Sequence, residues 1–360
     1  MDLSLFQAHT VQLYNLEKHP YVIKTIKARQ LLSVYRFDLF AKLFYARHRN
    51  QEPELAKEVY IKHIKAFNPD GREPGRDDKA SFEDFIKTYD DLLDYFRDRD
   101  FDATKSVVPV SSDGTILDGG HRVAALAFYD KDITVAVFED VVPVCQFDYN
   151  YFKQRGLSQN ISDIIAREIF YWIPNCFVAC LWPRMGTDHQ KQQAQGLLNQ
   201  FALPFYYKSF DVTLNSLTLF IAEVYRRQPW VGTEANHFAG AKDKALNCYA
   251  KGNTLDLYFF TTSKSLEDIL QLKEDIRSLY PYEKHSIHIT DNHEETDDIA
   301  FFSLTQQGIE RWVYAGNWKG WQLFKNSFVE YVYIFRHTYW IDFKVQVAYS
   351  LGRLLSFVKK

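Results

Sequence analysis

The stretch Asp113-Gly-Thr-Ile-Leu-Asp-Gly-Gly-His-Arg-Val-Ala-Ala-Leu126 passes from strand-type to helix-type sequence within a few residues. Residues 107–110 before it are Val-Val-Pro-Val, which predicts a strand, and residues 111–114 have the Ser, Asp and Gly of a hairpin turn. Apolar spacing then predicts a helix beginning at Val123 and another strand at 133–138. Strand, glycine turn, helix and strand in this order indicate an α/β architecture.

The loop at 118–122 carries the strongest chemical signal in the sequence. Gly119 and Gly120 allow a ligand to approach the backbone closely, and the amides at a helix N-terminus favour anions. Arg122 supplies a guanidinium suited to phosphate oxygens, while His121 can donate to phosphate or move a proton near neutral pH. These groups together suit a nucleotide phosphate. The alternative is a tight turn in which His121 and Arg122 only cap and pair.

Further polar residues are candidates for the same site. Asp118 is a candidate ligand for Mg²⁺ or for a substrate hydroxyl, so it joins His121 as a candidate catalytic residue. Lys105 precedes the first strand and can reach the phosphate. Lys62 and His63 are weaker candidates, because an ordinary position on a helix surface also explains them.

The quoted stretch, with Pro109-Val before it and the strand at 133–137 after it, resembles the core of the ParB/sulfiredoxin-like superfamily. Chromosome-partitioning CTPases, sulfiredoxin and a free-serine kinase belong to that superfamily. The Asp-Gly-x-His-Arg form is most similar to the kinase-like branch, because Gly120 stands where sulfiredoxin has a cysteine and the Arg-rich motif of the partitioning proteins is missing. The resemblance implies ATP or another nucleotide with Mg²⁺, bound at Lys105, Gly119, Gly120, His121 and Arg122, with Asp118 near the metal.

Composition disfavours several classes of protein. The chain has 360 residues with 43 Lys+Arg against 46 Asp+Glu, so it lacks the basic excess of a protein that coats DNA, and nucleic acid is not the expected partner. Four cysteines are too few for a disulfide scaffold of this size. The first residues lack signal-peptide character, and no run of about 18 apolar residues occurs. These features predict a cytoplasmic protein without a transmembrane segment.

The chain is predicted to contain two folded units and a tail. Residues 1–150 form the ParB/sulfiredoxin-like α+β unit with a helical N-terminal extension covering residues 1–65. Residues 151–320 form an α/β unit, because candidate strands alternate with candidate helices. The strands are expected at 176–182, 204–210, 255–261 and 285–290, and the helices at 160–172, 188–200, 215–227, 240–249, 265–280 and 293–303. Such alternation predicts a mainly parallel sheet.

The tail at 321–360 is predicted to be helical, basic and aromatic. Residues 319–360 contain 7 Lys/Arg and 2 Asp/Glu, and Leu351-Gly-Arg-Leu-Leu-Ser-Phe-Val-Lys-Lys360 is amphipathic. One interpretation is a helix that packs on the fold or makes a homodimer contact. The other is a peripheral helix on the inner face of the membrane.

A second group of candidate residues begins in the loop before the helix at 240–249. Gly240, Lys242 and Lys244 lie where an anion could meet a helix N-terminus, so they are predicted to bind substrate. A capped helix with exposed lysines is the alternative.

The string Lys284-His-Ser-Ile-His-Ile-Thr-Asp-Asn-His-Glu-Glu-Thr296 is denser in polar side chains. Three functions are open for it: capping of the next helix by Thr290 or Asn292, binding of substrate or phosphate, and binding of a divalent metal. The candidate substrate ligands are His285, His288, Asp291, His293 and Glu294. Residues 229–300 are similar to a module of bacterial surface-polysaccharide biosynthesis proteins, which implies a sugar, a polyol or a glycan intermediate as substrate.

The resulting hypothesis is a nucleotide-dependent phosphotransferase, kinase-like, that acts on a sugar or polyol hydroxyl. A ParB-like nucleic-acid-binding regulator is one alternative. A nucleotidyltransferase is another, since Gly240, Asp256 and Asp291 partly match its pattern, although Tyr258 replaces the second aspartate. A third is a non-catalytic nucleotide-binding scaffold of a glycan assembly complex.

Overall fold

The computed structural model describes residues 3–73, 78–185 and 187–314, and the elements named below belong to those ranges. The strands are β1 Val22–Lys27, β2 Val108–Ser111, β3 Asp132–Phe138, β4 Cys176–Leu181, β5 Leu203–Asp211, β6 Thr254–Thr261 and β7 Ile287–Ile289. The helices of the first half are α1 Ala8–Tyr14, α2 Phe37–His48, α3 Pro53–Phe67, α4 Phe82–Asp98, α5 Gly120–Phe128, α6 Tyr149–Gln154 and α7 Gln159–Trp172. Those of the second half are α8 Asp188–Phe201, α9 Leu214–Val224, α10 Ala239–Cys248, α11 Leu266–Ser278, α12 His293–Leu304 and α13 Gln306–Ile309. The predicted mixed α/β class is confirmed.

The first sheet has the order β1-β3-β2. β2 and β3 are parallel and are joined through α5, so they form a βαβ unit. β1 pairs antiparallel with β3, which makes the prediction of a wholly helical segment at 1–65 wrong at this strand. Its sequence, Val-Ile-Lys-Thr-Ile-Lys, is rich in β-branched residues, and this short signal lies between two helical patterns.

The second sheet has the order β5-β6-β4-β7, and every pairing in it is antiparallel. The expected mainly parallel sheet is therefore wrong. β4 and β5 point the same way but are separated by β6, while β6 and β7 point the same way but are separated by β4. This is the split βαβ arrangement of a ferredoxin-like βαββαβ unit, with α9 and α10 inserted between its second and third strands.

The alternation of strands and helices did not determine how the strands pair, for a physical reason. A helix returns the chain so that the next strand runs parallel to the last, but it does not decide whether the two strands become neighbours. Here each crossover leaves room for a strand of the opposite direction. α8 and α11 cover one face of the sheet, where Leu198, Ile269 and Ile276 are fully or almost fully buried. The other face packs against α7, α9 and α12.

The apolar core connects the two sheets. One cluster of buried side chains extends from Ala28 to Trp312 and includes residues from both sides of the expected boundary near residue 150. Aromatic side chains fill much of it, in line with the 16% aromatic content of the chain. α2 contacts α3, α5 and α7, so it links the βαβ unit to the second unit.

Ser81 caps α4, accepting from the Asp84 amide at 3.2 Å. The turn predicted at 111–114 is confirmed. Gly114 has φ +82° and closes its turn on Ser111. After this turn, residues 115–117 pair with β2 through a bridge between Val110 and Ile116.

None of the helices within the described residues combines the length and the apolar character of a membrane span. The tail at 321–360 lies outside the described residues.

Candidate functional site

α5 begins at Gly120, directly after Gly119, whose φ of +85° favours glycine. A Cβ on Gly119 would lie 2.9 Å from Arg122 Nη2. A Cβ on Gly120 would lie 3.2 Å from Arg36 Nη2 and 3.3 Å from Asp38 Oδ2. The two glycines thus allow the protein's own charged side chains to reach the start of the helix.

A buried ion network lies against this helix N-terminus. The Arg36 guanidinium donates from Nε and Nη2 to the two Asp38 oxygens at 2.8 and 2.9 Å, and Lys42 Nζ donates to Oδ2 at 2.8 Å. Arg36 Nη1 also donates to the Ile116 carbonyl at 2.7 Å, which ties α2 to the loop before α5. Burial alone would raise the pKa of Asp38, but the charges of Arg36 and Lys42 hold it well below its usual range.

Two histidines border the network as neutral imidazoles. Burial and the Lys42 charge lower the pKa of His63 to about 3, and its Nδ1 donates to the Tyr60 carbonyl at 2.8 Å. His121 Nε2 lies 2.7 Å from the Tyr60 hydroxyl. Burial, then the charges of Lys79 and Lys42, lower the pKa of His121 well below its ordinary value. His121 is therefore suited to hydrogen bonding in its neutral form rather than to pairing with phosphate as a cation.

The remaining candidates of the first site differ in their exposure and in their ion-pair partners. Arg122 Nη2 lies 3.3 Å from Asp118 Oδ2, and both side chains are largely buried, with exposures of 20% and 18%. Lys105 is 72% exposed and pairs with Asp102 at 3.2 Å. Lys62 pairs with Glu58 on the surface of α3. The structure therefore brings Asp118 and Arg122 together at the helix start and leaves Lys105 and Lys62 in surface pairs.

Sequence reasoning missed Arg36, Asp38, Lys42 and Lys79, all of which are buried. Lys79 Nζ pairs with Glu73 and lies over the Phe85 ring. A usable signal was present in α2, where Asp38 and Lys42 stand four residues apart within the otherwise apolar run Phe-Asp-Leu-Phe-Ala-Lys-Leu-Phe. Charged residues spaced to pair on a buried helix face indicate a constructed polar site.

The three candidates before and within α10 have different surroundings in the structure. Gly240 has a packing role, since a Cβ there would lie 1.7 Å from the Trp230 carbonyl oxygen. Lys242 is exposed on α10. Lys244 turns inward, donating from Nζ to the Lys284 carbonyl at 3.1 Å and lying 5.6 Å from the centre of the Trp182 ring.

The polar string at 284–296 has both buried and exposed members. His288 Nε2 lies 2.9 Å from Glu295 Oε1. His285 Nδ1 lies 3.7 Å from Cys248 Sγ. Asp291, His293 and Glu294 are exposed. Asn292 caps α12 by accepting from the Glu295 amide at 2.8 Å, as one of the alternatives predicted.

The metal and nucleotidyltransferase hypotheses both depend on acidic side chains of this unit. Within residues 3–73, 78–185 and 187–314, no group of three or more His, Cys, Asp or Glu side chains is placed to hold a metal ion. Asp256 is buried on β6, where its carboxylate pairs with Lys191 at 2.5 Å and accepts from Ser209 and Tyr207 at 2.6 and 3.0 Å. This carboxylate is already held by the protein's own donors.

No family model, curated protein or solved structure matches the chain.

Proposed function

We propose that the protein is a nucleotide-dependent phosphotransferase whose nucleotide phosphates bind at the start of α5. One observation carries this proposal: an excess of buried positive charge converges on a helix N-terminus that no side chain caps. Arg36, Lys42 and Lys79 supply three positive charges, against two negative charges on Asp38 and Glu73. Such a helix start with nearby cations favours phosphate.

Arg122 and Asp118 are the groups at this site that would act on the ligand. Arg122 stands in the first turn of α5, where its guanidinium can exchange Asp118 for a phosphate oxygen. Asp118 would then be released to orient a hydroxyl or to hold Mg²⁺. A single carboxylate fits Mg²⁺, because this ion keeps several waters and takes further oxygens from the nucleotide phosphates. When bound, Mg²⁺ would supply charge neutralisation.

The buried network would act as the support of this site. Arg36 joins Asp38, the Ile116 carbonyl and the start of α5, so it fixes the helix terminus against α2. Neutral His121, held by Tyr60, would position the turn or donate a hydrogen bond to the ligand. Its lowered pKa argues against a cationic role. The similarity to the kinase-like branch of the ParB/sulfiredoxin-like superfamily supports the same proposal. The similarity of residues 229–300 to a module of bacterial surface-polysaccharide biosynthesis proteins supports a sugar or polyol hydroxyl as the acceptor.

Binding is tested by measuring the melting temperature of the full chain with different nucleoside di- and triphosphates, with and without Mg²⁺. A ligand of the native state raises stability by about 2.7 kcal/mol when its concentration is 100 times Kd. We expect a nucleotide to raise the melting temperature, and Arg122→Gln to abolish the rise. Arg97→Gln, on the exposed side of α4, is the matched control and should retain it. A rise that is equal in both variants would place the nucleotide elsewhere.

Turnover is tested separately from binding. Phosphorus NMR should show nucleoside diphosphate appearing with a phosphorylated sugar or polyol when a suitable acceptor is added. Asp118→Asn should reduce this turnover while nucleotide binding persists. Binding without turnover for any acceptor would favour the scaffold alternative, and salt-sensitive retention of DNA would favour the nucleic-acid-binding alternative.

A further inference from the structure

A second cluster of donors lies in the ferredoxin-like unit, among side chains of α10, α11 and β7 and of the residues that directly follow β4 and α9. Its members are Lys244, Lys273, Arg277, Trp182, His288 and Tyr225. The indole Nε1 of Trp182 and the Nε of Arg277 are both buried and have no hydrogen-bond acceptor among the described residues. A buried donor without an acceptor costs about 1–3 kcal/mol, so two such groups in one cluster need an explanation.

The cations of the cluster are neutralised unevenly, since Arg277 Nη1 pairs with Glu274 Oε1 at 2.6 Å whereas Lys244 has only a carbonyl acceptor among the described residues. Within the part of the chain that the structure describes, no carboxylate lies within 4.0 Å of Lys244 Nζ, whose acceptor is the Lys284 carbonyl. Lys273 is 7% exposed, and its nearest carboxylate, on the more exposed Asp291, is 3.8 Å away. Glu295, whose side chain is 14% exposed, is a further carboxylate of this cluster, and it contacts His288. Burial lowers the pKa of Lys244, and the positive charge of Arg277 lowers it further.

Aromatic rings form the walls around Lys244. Its Nζ lies 5.6 Å from the centre of the Trp182 ring and 5.9 Å from that of Tyr225. Tyr225 in turn packs 5.1 Å from the His288 ring and 5.2 Å from Trp230, which is 43% exposed. Lys244 itself is half-buried, so the cluster reaches the surface at this residue.

We propose that this cluster binds a small oxyanion, the carboxylate or phosphate group of a ligand, with Lys244 as the principal cation. An oxyanion accepts several hydrogen bonds at once, so it can satisfy an ammonium and the neighbouring buried donors together. Aromatic walls strengthen the interaction by excluding water around the charges. The site is separate from the start of α5, and the proposal does not depend on phosphotransferase activity.

The test is a calorimetric titration of the full chain with inorganic phosphate and, in a parallel arm, with acetate, at constant ionic strength. Lys244→Met and Lys242→Met remove the same charge from the same helix, but only Lys244 faces the cluster. We expect wild type and Lys242→Met to bind one of the two anions, and Lys244→Met to lose at least tenfold in affinity. The stronger arm distinguishes phosphate from carboxylate.

Two further variants keep the result decisive. Arg122→Gln removes the guanidinium at α5, so anion binding that persists in this variant and disappears in Lys244→Met belongs to the second site. Trp182→Phe keeps an aromatic ring but removes the unpartnered donor, and we expect it to bind several-fold more weakly even if Lys244→Met fails to fold. Equal binding in Lys242→Met, Lys244→Met and Trp182→Phe, or no binding by wild type in either arm, would overturn the proposal.

Discussion

Two inward-facing lysines, Lys42 on α2 beside the start of α5 and the half-buried Lys244 on α10, have opposite surroundings. Lys42 donates to Asp38 at 2.8 Å, and the same carboxylate is bound by Arg36. Lys244 has a carbonyl and two aromatic rings near it, and no described carboxylate lies within 4.0 Å. Both lysines have a lowered pKa because of burial, but only at Lys42 does a carboxylate salt bridge oppose the effect.

This comparison distinguishes a charged side chain that stabilises the fold from one that is available to bind a ligand. A cation with a buried carboxylate partner is internally satisfied, and its loss leaves another charge exposed to the low dielectric of the interior. A cation surrounded by hydrogen-bond donors and aromatic rings contributes little to the stability of the unliganded protein. The first cluster is therefore expected to hold the start of α5 in place, where Arg122 makes the exchangeable contact for the proposed phosphates. In the second cluster the lysine itself is expected to respond to an anion.

The largest effect is expected from Asp38→Asn. Removing this carboxylate leaves Arg36 and Lys42 buried without their counter-charge, which should lower the free energy of unfolding by about 3–5 kcal/mol. Urea denaturation at neutral pH measures the loss. Asp94→Asn is the matched control, since Asp94 is 57% exposed and pairs with Arg49, and it should cost at most about 1 kcal/mol. Similar losses in the two variants would contradict the assignment of the first cluster to support.

Acid should destabilise the first cluster next most strongly. His63 and His121 remain neutral in the folded chain, while the unfolded chain binds protons below the ordinary histidine pKa of 6.5. The contribution of these two histidines to folding stability is therefore fully present above pH 6.5 and is lost as the pH drops. For His63 the loss continues down to its pKa of about 3 in the folded chain. Each such histidine contributes about 1.4 kcal/mol per pH unit within that window.

Denaturation midpoints measured across this pH window test the assignment. His63→Gln should reduce the slope of stability against pH, because glutamine does not take up a proton. Exposed His189 on α8 provides the control substitution, His189→Gln, which should leave the slope as it is. An unchanged slope in His63→Gln would show that this residue is already protonated in the fold.

Gly120→Ala should produce a smaller loss. The added methyl group would press on Arg36 and Asp38, and crowding of this kind costs about 1–3 kcal/mol. Gly196→Ala within α8 is the contrasting change, since nothing lies within 4 Å of its Cβ position. Alanine should stabilise that helix by up to about 1 kcal/mol. Thermal unfolding of the two variants should therefore shift in opposite directions, and a shift in the same direction would argue against the tight contact at Gly120.

The two lysines themselves give the finest comparison. Lys42→Met should cost about 1–3 kcal/mol, because Asp38 loses a hydrogen bond while it stays buried. Lys244→Met should change stability by less than about 1 kcal/mol without ligand, because no described carboxylate loses its partner and the methionine still fills the apolar walls. Equal costs in urea denaturation would remove the distinction between the clusters.

Sequence reasoning located much of the secondary structure and one part of the first site. The glycine turn before α5 and the strands after residue 150 follow from local patterns that act over a few residues. Asp118 and Arg122 could be named because they adjoin the glycines in the chain. Arg36 and Lys79 were missed because they reach the helix start from distant segments.

Sequence by itself determined the α/β class, most helix starts after residue 150 and the position of the two-glycine turn, because caps, apolar spacing and glycine conformations are local properties. It placed the start of α5 at Val123, whereas the helix begins at Gly120. Only the tertiary structure decided that the second sheet is antiparallel, since the choice of neighbouring strand depends on packing across the whole unit. The same holds for Lys42 and Lys244. Whether a buried cation meets a carboxylate or an aromatic wall depends on which distant segment the fold brings against it.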